Sequence, residues 1–364
     1  MPRLTYIDWL RGVAVLAMIE WHTLDSWTRL GPDRDGIGWR VVGAIGGLAA
    51  PLFLFLAGVA LPLAFAAARR AGLDRRAAAW RLQKRGWQIF ALAHLFRLQG
   101  FLLNPNATWS VLLQPDILNI LGLGIVACGF CFGRGTPPRR ALVWLVAPAL
   151  GIVLITPFVR LWWWPTLLPP RIEAYLRPVG TYGVFSLFPW VAIIFAGAIV
   201  GRVLATSADA AADVRLQARI AIAGVVLVAA GWIGSFLPAP LGPSSFWTTS
   251  LSFFLIRIGA MTLALVVAWL WTGRPAARRW SPLVLFGQTS LFVYWVHVEI
   301  AYGVFSYPIQ HTLPLPWSIA AFVAFTLLML GAAALWKRRR IGEWVPKHLV
   351  AADQIGSLKP GVRS

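Results

Sequence analysis

The sequence has few acidic residues, few charged residues of either sign and almost no cysteine. Of its 364 residues, 13 are Asp or Glu, and charged residues make up 13% of the chain. Soluble domains carry about 25% charged residues, so this chain lacks the side chains that would cover a water-exposed surface. Apolar residues account for 59% of the sequence instead, and the mean hydropathy is +0.70. These values predict an integral membrane protein.

The 2 cysteines exclude a fold held together by a disulfide framework. Cys128 and Cys131 form a C-x-x-C pair inside an apolar stretch, but no thioredoxin-like βαβ pattern surrounds them, so we predict no redox role. The first apolar stretch contains Asp8 and Arg11 and continues to about Trp27, which is typical of an anchor. No cleavable signal peptide is therefore expected.

Long apolar runs dominate the rest of the chain. A helix needs about 20 apolar residues to cross a hydrocarbon core ~30 Å thick. Hydropathy predicts an all-α polytopic membrane protein, a bundle of about ten transmembrane helices. The predicted spans are Ile7–Trp27, Val41–Ala67, Trp80–Leu103, Val111–Phe132, Ala141–Val159, Phe185–Leu204, Ile220–Phe236, Thr249–Thr272, Pro282–Ser306 and Trp317–Trp336. They form one predicted transmembrane domain over residues 1–340, followed by a cytoplasmic tail over residues 341–364.

Positive charge is distributed unevenly between the predicted loops. The even-numbered loops and both tails hold most of the 33 Lys and Arg residues. Because cytoplasmic loops accumulate Lys and Arg, both termini are predicted to lie in the cytoplasm, with the bundle in the inner (plasma) membrane. The net charge of +20 has the same origin, so no nucleic-acid partner is expected.

Several ionisable residues lie within the predicted spans, where charges are costly and usually face a bundle interior or a wet cavity. A rise of 1.5 Å per residue places His22 and His297 each roughly 22 Å above the cytoplasmic surface. Asp116 and Arg257 lie roughly 8–10 Å below the outer surface, which is nearly the same level in a ~30 Å core. We therefore predict one polar pocket in the outer half of the membrane. A structural alternative is that Arg257 only pairs with Asp116 or with a helix end.

The first predicted span carries a second pattern. Arg11 and His22 lie about 20° apart on one helix face and ~16 Å apart along its axis. Asp8, one turn before Arg11, is placed to orient it as an i,i+3 pair. The cationic loop from Arg69 to Arg85 opens at the same cytoplasmic level. A phosphate-bearing donor could bind there with its arm along the helix face, although most of this loop also fits ordinary positive-inside charge.

Short motifs along the chain now become recognisable. The Ile-Asp-Trp-Leu-Arg-Gly segment at residues 7–12, with Met18 and His22, resembles the first helix of bacterial relatives of heparan-α-glucosaminide N-acetyltransferase. The spacing of Arg11 and His22 is similar to the signature of the wider transmembrane acyltransferase superfamily, including acyltransferase-3 proteins. Further segments resemble family positions in the correct order: residues 50–58, 116–123, 188–190 with Gly197, and 287–288 through Tyr294 and His297.

This resemblance implies a membrane enzyme of ten or eleven helices. It would take an acyl group from cytoplasmic acyl-CoA, such as acetyl-CoA, and deliver it to a glycan or amino sugar on the far side. Arg11 and His22 match the required arginine and histidine of the first helix, and Arg81 or Arg85 matches basic residues at the third helix.

The two lines of reasoning give one mechanistic hypothesis without a metal. Arginines Arg11, Arg81 and Arg85 would hold the phosphates of acetyl-CoA, because planar guanidinium groups suit phosphate. His22 would act as general base on the acceptor, or be acylated itself and pass the group on. Asp116 or Glu299 could fix the tautomer of His22. The developing oxyanion could be stabilised by His297, Arg257 or Tyr294.

Two alternative functions stay open. O-acetylation of a surface polysaccharide fits almost as well as N-acetylation of an amino sugar. A proton-coupled transporter or glycolipid flippase would use the polar layer as its substrate site, although the paired repeats common in transporters are not visible. A homo-oligomer in the lipid bilayer is also compatible with the sequence.

Overall fold

The computed structural model describes residues 4–104, 108–134, 138–180, 184–207, 213–238, 244–274 and 280–344. In these ranges the chain is all helical and contains no β-strand. Its helices are α1 (Thr5–Trp27), α2 (Ile37–Arg70), α3 (Arg75–Leu103), α4 (Ile117–Gly133), α5 (Pro138–Leu161), α6 (Pro170–Leu176), α7 (Leu187–Leu204), α8 (Val214–Gly234), α9 (Leu251–Thr272), α10 (Pro282–Gln288), α11 (Ser290–Tyr302) and α12 (Leu315–Trp344). Helix α12 is continuous across the predicted domain boundary at residue 340, and residues 345–364 lie outside the described part.

Seven stretches of the described chain are long and apolar enough to cross a membrane. The pair α10 and α11 reaches the same standard as one span, but its two halves meet at an angle of 90°. The ninth predicted span, Pro282–Ser306, is therefore a broken helix and not a straight one. The prediction of an all-helical, multi-span protein is confirmed.

Helix α1 lies at the centre of the bundle and packs against α2, α9, α10, α11 and α12. Most of its residues are buried, including the charged side chains of Asp8 and Glu20. A helix surrounded by protein can carry polar side chains at membrane depth, because they face neighbouring helices and not lipid. This position explains how a predicted span can contain Asp8 and Glu20.

Close packing of backbones holds the helices in place. On α2, a Cβ atom added to Gly58 would lie 2.1 Å from the carbonyl oxygen of Ile194 on α7. Between α10 and α1, a Cβ atom at Gly287 would lie 1.8 Å from the carbonyl oxygen of Asp8. Glycine at such contacts lets membrane helices approach closely. The Gly287 contact therefore fixes the broken span α10–α11 against α1.

The C-terminal end of α1 is hydrogen-bonded to the segment that precedes α12. The backbone N–H of Arg29 donates to the carbonyl of Leu313 at 2.9 Å, and the N–H of Leu313 donates to the carbonyl of Trp27 at 3.0 Å. The guanidinium of Arg34 donates to the carbonyls of Asp25, at 2.5 Å, and of Thr28, at 2.8 Å. These bonds satisfy the last carbonyls of the helix, which otherwise lack partners.

Both cysteines lie on α4 and are free. Cys128 is completely buried and Cys131 partly so. They contribute to the packing of α4, and no disulfide joins them.

Candidate active site

Two histidines from opposite ends of the chain meet in the interior. His22 lies near the C-terminal end of α1 and His297 lies on α11, 275 residues later. Nδ1 of His22 is 2.9 Å from Nε2 of His297, and the two rings are nearly parallel, with 5.1 Å between centroids and 10° between planes. His297 is completely buried, whereas His22 is partly exposed. The predicted convergence of these two residues on one layer agrees with the structure.

The exposed part of His22 faces a cavity of about 380 Å³. Its walls are largely aromatic, and α2 contributes a side made of small residues. Representative lining residues are Trp21, Gly43, Gly47, Ala50, Trp190 and Tyr302. A pocket that is mostly apolar, with a few convergent polar groups, is the usual form of a small-molecule site.

Asp116 also lines this cavity, but it does not orient His22. Its carboxylate caps α4 and accepts a hydrogen bond from the phenol of Tyr294 at 3.0 Å. The guanidinium of Arg97 lies 3.5 Å from the same carboxylate oxygen. In the described part of the chain, Asp116 has no hydrogen bond to either histidine. The expectation that Asp116 fixes the tautomer of His22 is not supported, because its oxygens serve the helix cap, Tyr294 and Arg97.

This network changes two further expectations. The phenol proton of Tyr294 is directed at Asp116, so it is not aimed at an oxyanion in the cavity. The cation beside Asp116 is Arg97 of α3, and Arg257 of α9 does not pair with it. Arg97 was not among the predicted pocket residues, because its partner depends on how α3 is rotated, which a depth estimate does not give.

In the described part of the chain, neither Arg257 nor Glu299 forms a hydrogen bond or ion pair with His22. The guanidinium of Arg257 lies over the ring of Phe253 at 4.3 Å and near the ring of Trp190, a lining residue of the cavity, at 5.8 Å. Glu299 is partly buried and contacts the side-chain amide of Gln99. Glu299 therefore does not hold His22, although it is only two residues from His297.

A second polar cluster joins α1, α10 and α12 at the predicted cytoplasmic side. Arg11 forms the expected ion pair with Asp8, with 3.2 Å between Nη1 and Oδ1. The side-chain amide of Gln288 lies 3.5 Å from Asp8, and Lys337 donates to the Gln288 carbonyl oxygen at 2.6 Å. Lys337 directly follows the last predicted span, Trp317–Trp336, in the Lys- and Arg-rich segment at the end of the chain. Its place beside the Arg11 cluster follows from the folding of α12 onto α10.

Arg81 and Arg85 line a different cavity, of about 730 Å³, between the adjacent ends of α2 and α3. Both arginines are exposed, as is Lys84 beside them, and the floor of the cavity is mostly alanine. No residue of α1 lines this cavity in the described part of the chain. The structure thus divides the predicted phosphate-binding arginines into two groups, one around Arg11 and one around Arg81 and Arg85.

Metal-binding side chains do not cluster in the part of the chain that the structure describes. Within it, no group of three or more His, Cys, Asp or Glu residues is close enough to hold an ion.

Comparison with known proteins identifies the family. Residues 3–233 match the family model described as heparan-alpha-glucosaminide N-acetyltransferase, catalytic. Comparison with curated proteins finds no match. The matched part contains Arg11, His22 and Asp116, whereas His297 lies beyond it. Since this match covers more than half of the 364 residues, the chain belongs to the heparan-alpha-glucosaminide N-acetyltransferase family of membrane acetyltransferases.

Proposed function

We propose that the protein transfers an acetyl (acyl) group from cytoplasmic acetyl-CoA to an amine or hydroxyl group of a sugar at the outer side of the membrane. The observation that carries this proposal is the imidazole of His22, which faces an aromatic cavity and is backed by the buried His297. Imidazole is suited to proton transfer near neutral pH, and family membership supplies the reaction class.

The membrane topology that we propose for this function has about ten spans and places both termini in the cytoplasm. The seven clearly apolar stretches and the broken span α10–α11 account for eight. Helices α1 and α3, of 23 and 29 residues, are long enough to be the remaining two. The excess of Lys and Arg in alternate loops supports cytoplasmic termini, a transmembrane domain to about residue 340 and an inner-membrane location.

The donor would bind through its phosphates at the cytoplasmic ends of the helices. Arg11 and Lys337 form one set of cations, and Arg81 and Arg85 form another. Planar guanidinium groups bind phosphate with two parallel hydrogen bonds, so both sets suit the nucleotide end of CoA. The pantetheine arm would then follow α1 over the ~16 Å between Arg11 and His22, which brings the thioester to the cavity.

At the cavity, His22 would remove a proton from the acceptor nitrogen or oxygen as that atom attacks the thioester carbonyl. A C–N or C–O bond forms, the C–S bond breaks, and the leaving thiolate takes the proton from His22. In the alternative route, His22 attacks the thioester carbonyl and releases the thiolate, and the acceptor then takes the acetyl group from His22. Arg257, whose guanidinium lies 5.8 Å from the ring of the cavity-lining Trp190, is the group that we assign to the developing oxyanion.

The acceptor is expected to be a sugar because of the shape and chemistry of the cavity. Trp21, Trp190 and Tyr302 offer flat apolar faces, while the only ionisable groups among the lining residues are His22, Asp116 and two tyrosines. Flat aromatic faces with a few polar groups suit a ring that has one apolar side and hydroxyl groups at its edge. An amino sugar and a polysaccharide hydroxyl are both compatible with this lining.

Transfer is tested with purified protein in nanodiscs, acetyl-CoA labelled in the acetyl group, and a panel of amino sugars and polysaccharides. We expect release of CoA and label on one acceptor class, which also decides between N- and O-acetylation. Arg11→Gln should raise the KM for acetyl-CoA, whereas Arg215→Gln, at an exposed arginine of α8, should not. If no acceptor is labelled, but proteoliposomes move a sugar across the membrane with a proton gradient, the protein is a transporter and the proposal is wrong.

Filling the small-residue side of the cavity should block acceptor binding without loosening the bundle. Gly47 of α2 lines the cavity, and a Cβ atom added there has no neighbour within 4 Å. Gly47→Leu should lower kcat/KM for the acceptor about 10-fold or more, because the added side chain occupies substrate space.

The matched control for this variant is Gly151→Leu on α5. Gly151 also has open space around a Cβ atom, but it does not line the cavity. Neither variant should lower the thermal stability, since leucine is a better helix former than glycine by roughly 0.8 kcal/mol. Equal activity in the two variants would show that the cavity is not the acceptor site.

A further inference from the structure

The hydrogen bonds of the histidine pair determine where its protons lie. Nδ1 of His297 is 2.7 Å from the carbonyl oxygen of Val293, one turn earlier on α11. A carbonyl oxygen can only accept, so Nδ1 of His297 must carry hydrogen. His297 is completely buried, and no carboxylate bonds to it in the described part of the chain, so a neutral ring is favoured there. Nε2 of His297 is then an acceptor.

The same reasoning continues to His22. Its Nδ1 lies 2.9 Å from the accepting Nε2 of His297, so it must be the donor of that hydrogen bond. A neutral His22 therefore carries its only ring proton on Nδ1, and its Nε2 keeps a free lone pair. Since Nδ1 faces the buried partner, Nε2 lies on the partly exposed side of the ring, toward the cavity.

The remaining neighbours of the pair do not compete for these protons. The ring of Tyr302 meets His22 edge-on at 5.5 Å, and the ring of Tyr294 meets His297 edge-on at 6.0 Å. Both phenols donate elsewhere, Tyr302 to Asp25 at 2.9 Å and Tyr294 to Asp116 at 3.0 Å. The tautomer of His22 is thus set by a single partner.

We propose that His297 is a positioning residue that holds His22 in the tautomer with hydrogen on Nδ1, so that Nε2 is available as base or nucleophile. The use of this lone pair in acyl transfer rests on the proposed function. When Nε2 of His22 takes the acceptor proton, the resulting imidazolium donates from Nδ1 to His297, which shares the positive charge. His297 therefore has the role that we predicted for Asp116 or Glu299, and is not itself an oxyanion donor.

His94 provides a natural comparison within the same chain. Its Nδ1 lies 3.0 Å from the carbonyl of Phe90, also one turn earlier on its helix, but its ring does not contact another histidine. The backbone bond at His297 is thus a common helical arrangement. What distinguishes His297 is that its other nitrogen reaches His22.

The proposal is tested by NMR of protein labelled with ¹⁵N in the histidine rings, in nanodiscs. The sequence has 5 histidines, so each signal can be assigned by replacing one residue at a time. We expect Nδ1 of His22 to be protonated and Nε2 to be unprotonated. In His297→Phe, which keeps a ring in the buried space, the proton of His22 should move to Nε2, the site that an isolated imidazole prefers. Transfer should fall about 10- to 100-fold in kcat, as for other groups that orient a reactive histidine, with KM for acetyl-CoA unchanged.

His297→Gln is the conservative second variant, because its amide oxygen can accept the His22 bond and restore part of the rate. His94→Gln is the control and should leave the His22 signals unchanged. Protonated Nε2 in wild-type His22, or no change in His297→Phe, would overturn the proposal. The signals do not depend on turnover. A protein that transfers no acetyl group but shows the expected tautomer therefore contradicts the proposed function and supports the positioning role.

Discussion

Replacing His22 with Gln is expected to lower the rate of acetyl transfer by about 10³-fold, within the 10²- to 10⁴-fold that general acid–base groups contribute. Glutamine has a similar size, and its amide can still donate to His297, but it cannot take a proton from the acceptor. Because His22 borders a cavity and is not fully packed, the variant should fold. The loss should appear in kcat, while binding of acetyl-CoA at the arginines of the proposed donor site should persist.

The measurement is steady-state transfer together with equilibrium binding of acetyl-CoA to the same preparation. His94→Gln is the matched control, since His94 is a partly buried histidine outside the cavity. Rapid quenching also distinguishes direct transfer from transfer through an acetylated His22. Label that stays on the wild-type protein and is absent from His22→Gln indicates an acetylated histidine. A loss of less than about 10-fold would place the base elsewhere, because it falls below the range for general catalysis.

The sequence predicted the main features of the fold because hydropathy measures what a bilayer requires. The first span was predicted as Ile7–Trp27 and begins at Thr5 in the structure; the second was predicted as Val41–Ala67 and extends over Ile37–Arg70. The break between α10 and α11 was not predicted. Both halves are apolar, so their hydropathy is the same whether the chain is straight or bent by 90°.

The sequence predicted the level of the candidate site along the helices, but not the contacts between its side chains. Helical rise alone placed His22 and His297 at one level, and the structure brings their rings into contact. Which polar groups pair within that level depends on helix rotation and on neighbouring helices. Sequence spacing gives neither the rotation of a helix nor its neighbours. The pairing of Asp116 with Arg97 and of Asp8 with Gln288 was therefore not predicted. The local pair of Asp8 and Arg11 was found because i,i+3 geometry is fixed within one helix.

A second large effect is expected from Gly58→Leu, at the contact between α2 and α7. The new Cβ atom would lie 2.1 Å from the carbonyl oxygen of Ile194, and the reciprocal contact at Gly197 is equally close, at 2.0 Å from the carbonyl of Phe55. Backbone atoms on both sides cannot rotate away as a side chain can, so the helices must separate. Overpacking typically lowers the free energy of unfolding by about 1–3 kcal/mol, and for Gly58→Leu we expect a loss at the upper end of that range or larger.

Separation of α2 from α7 should also disturb the cavity, because both helices contribute to its walls through Gly47 and Trp190. We therefore expect Gly58→Leu to lower the melting temperature in detergent and to reduce acetyl transfer together, whereas His22→Gln should reduce transfer alone. Gly151→Leu introduces the same side chain into a helix where a Cβ atom has open space, and should change neither property. If Gly58→Leu melts at the wild-type temperature, the close approach of α2 and α7 does not support the bundle. The small residues of α2 would then serve only to leave room for substrate in the cavity.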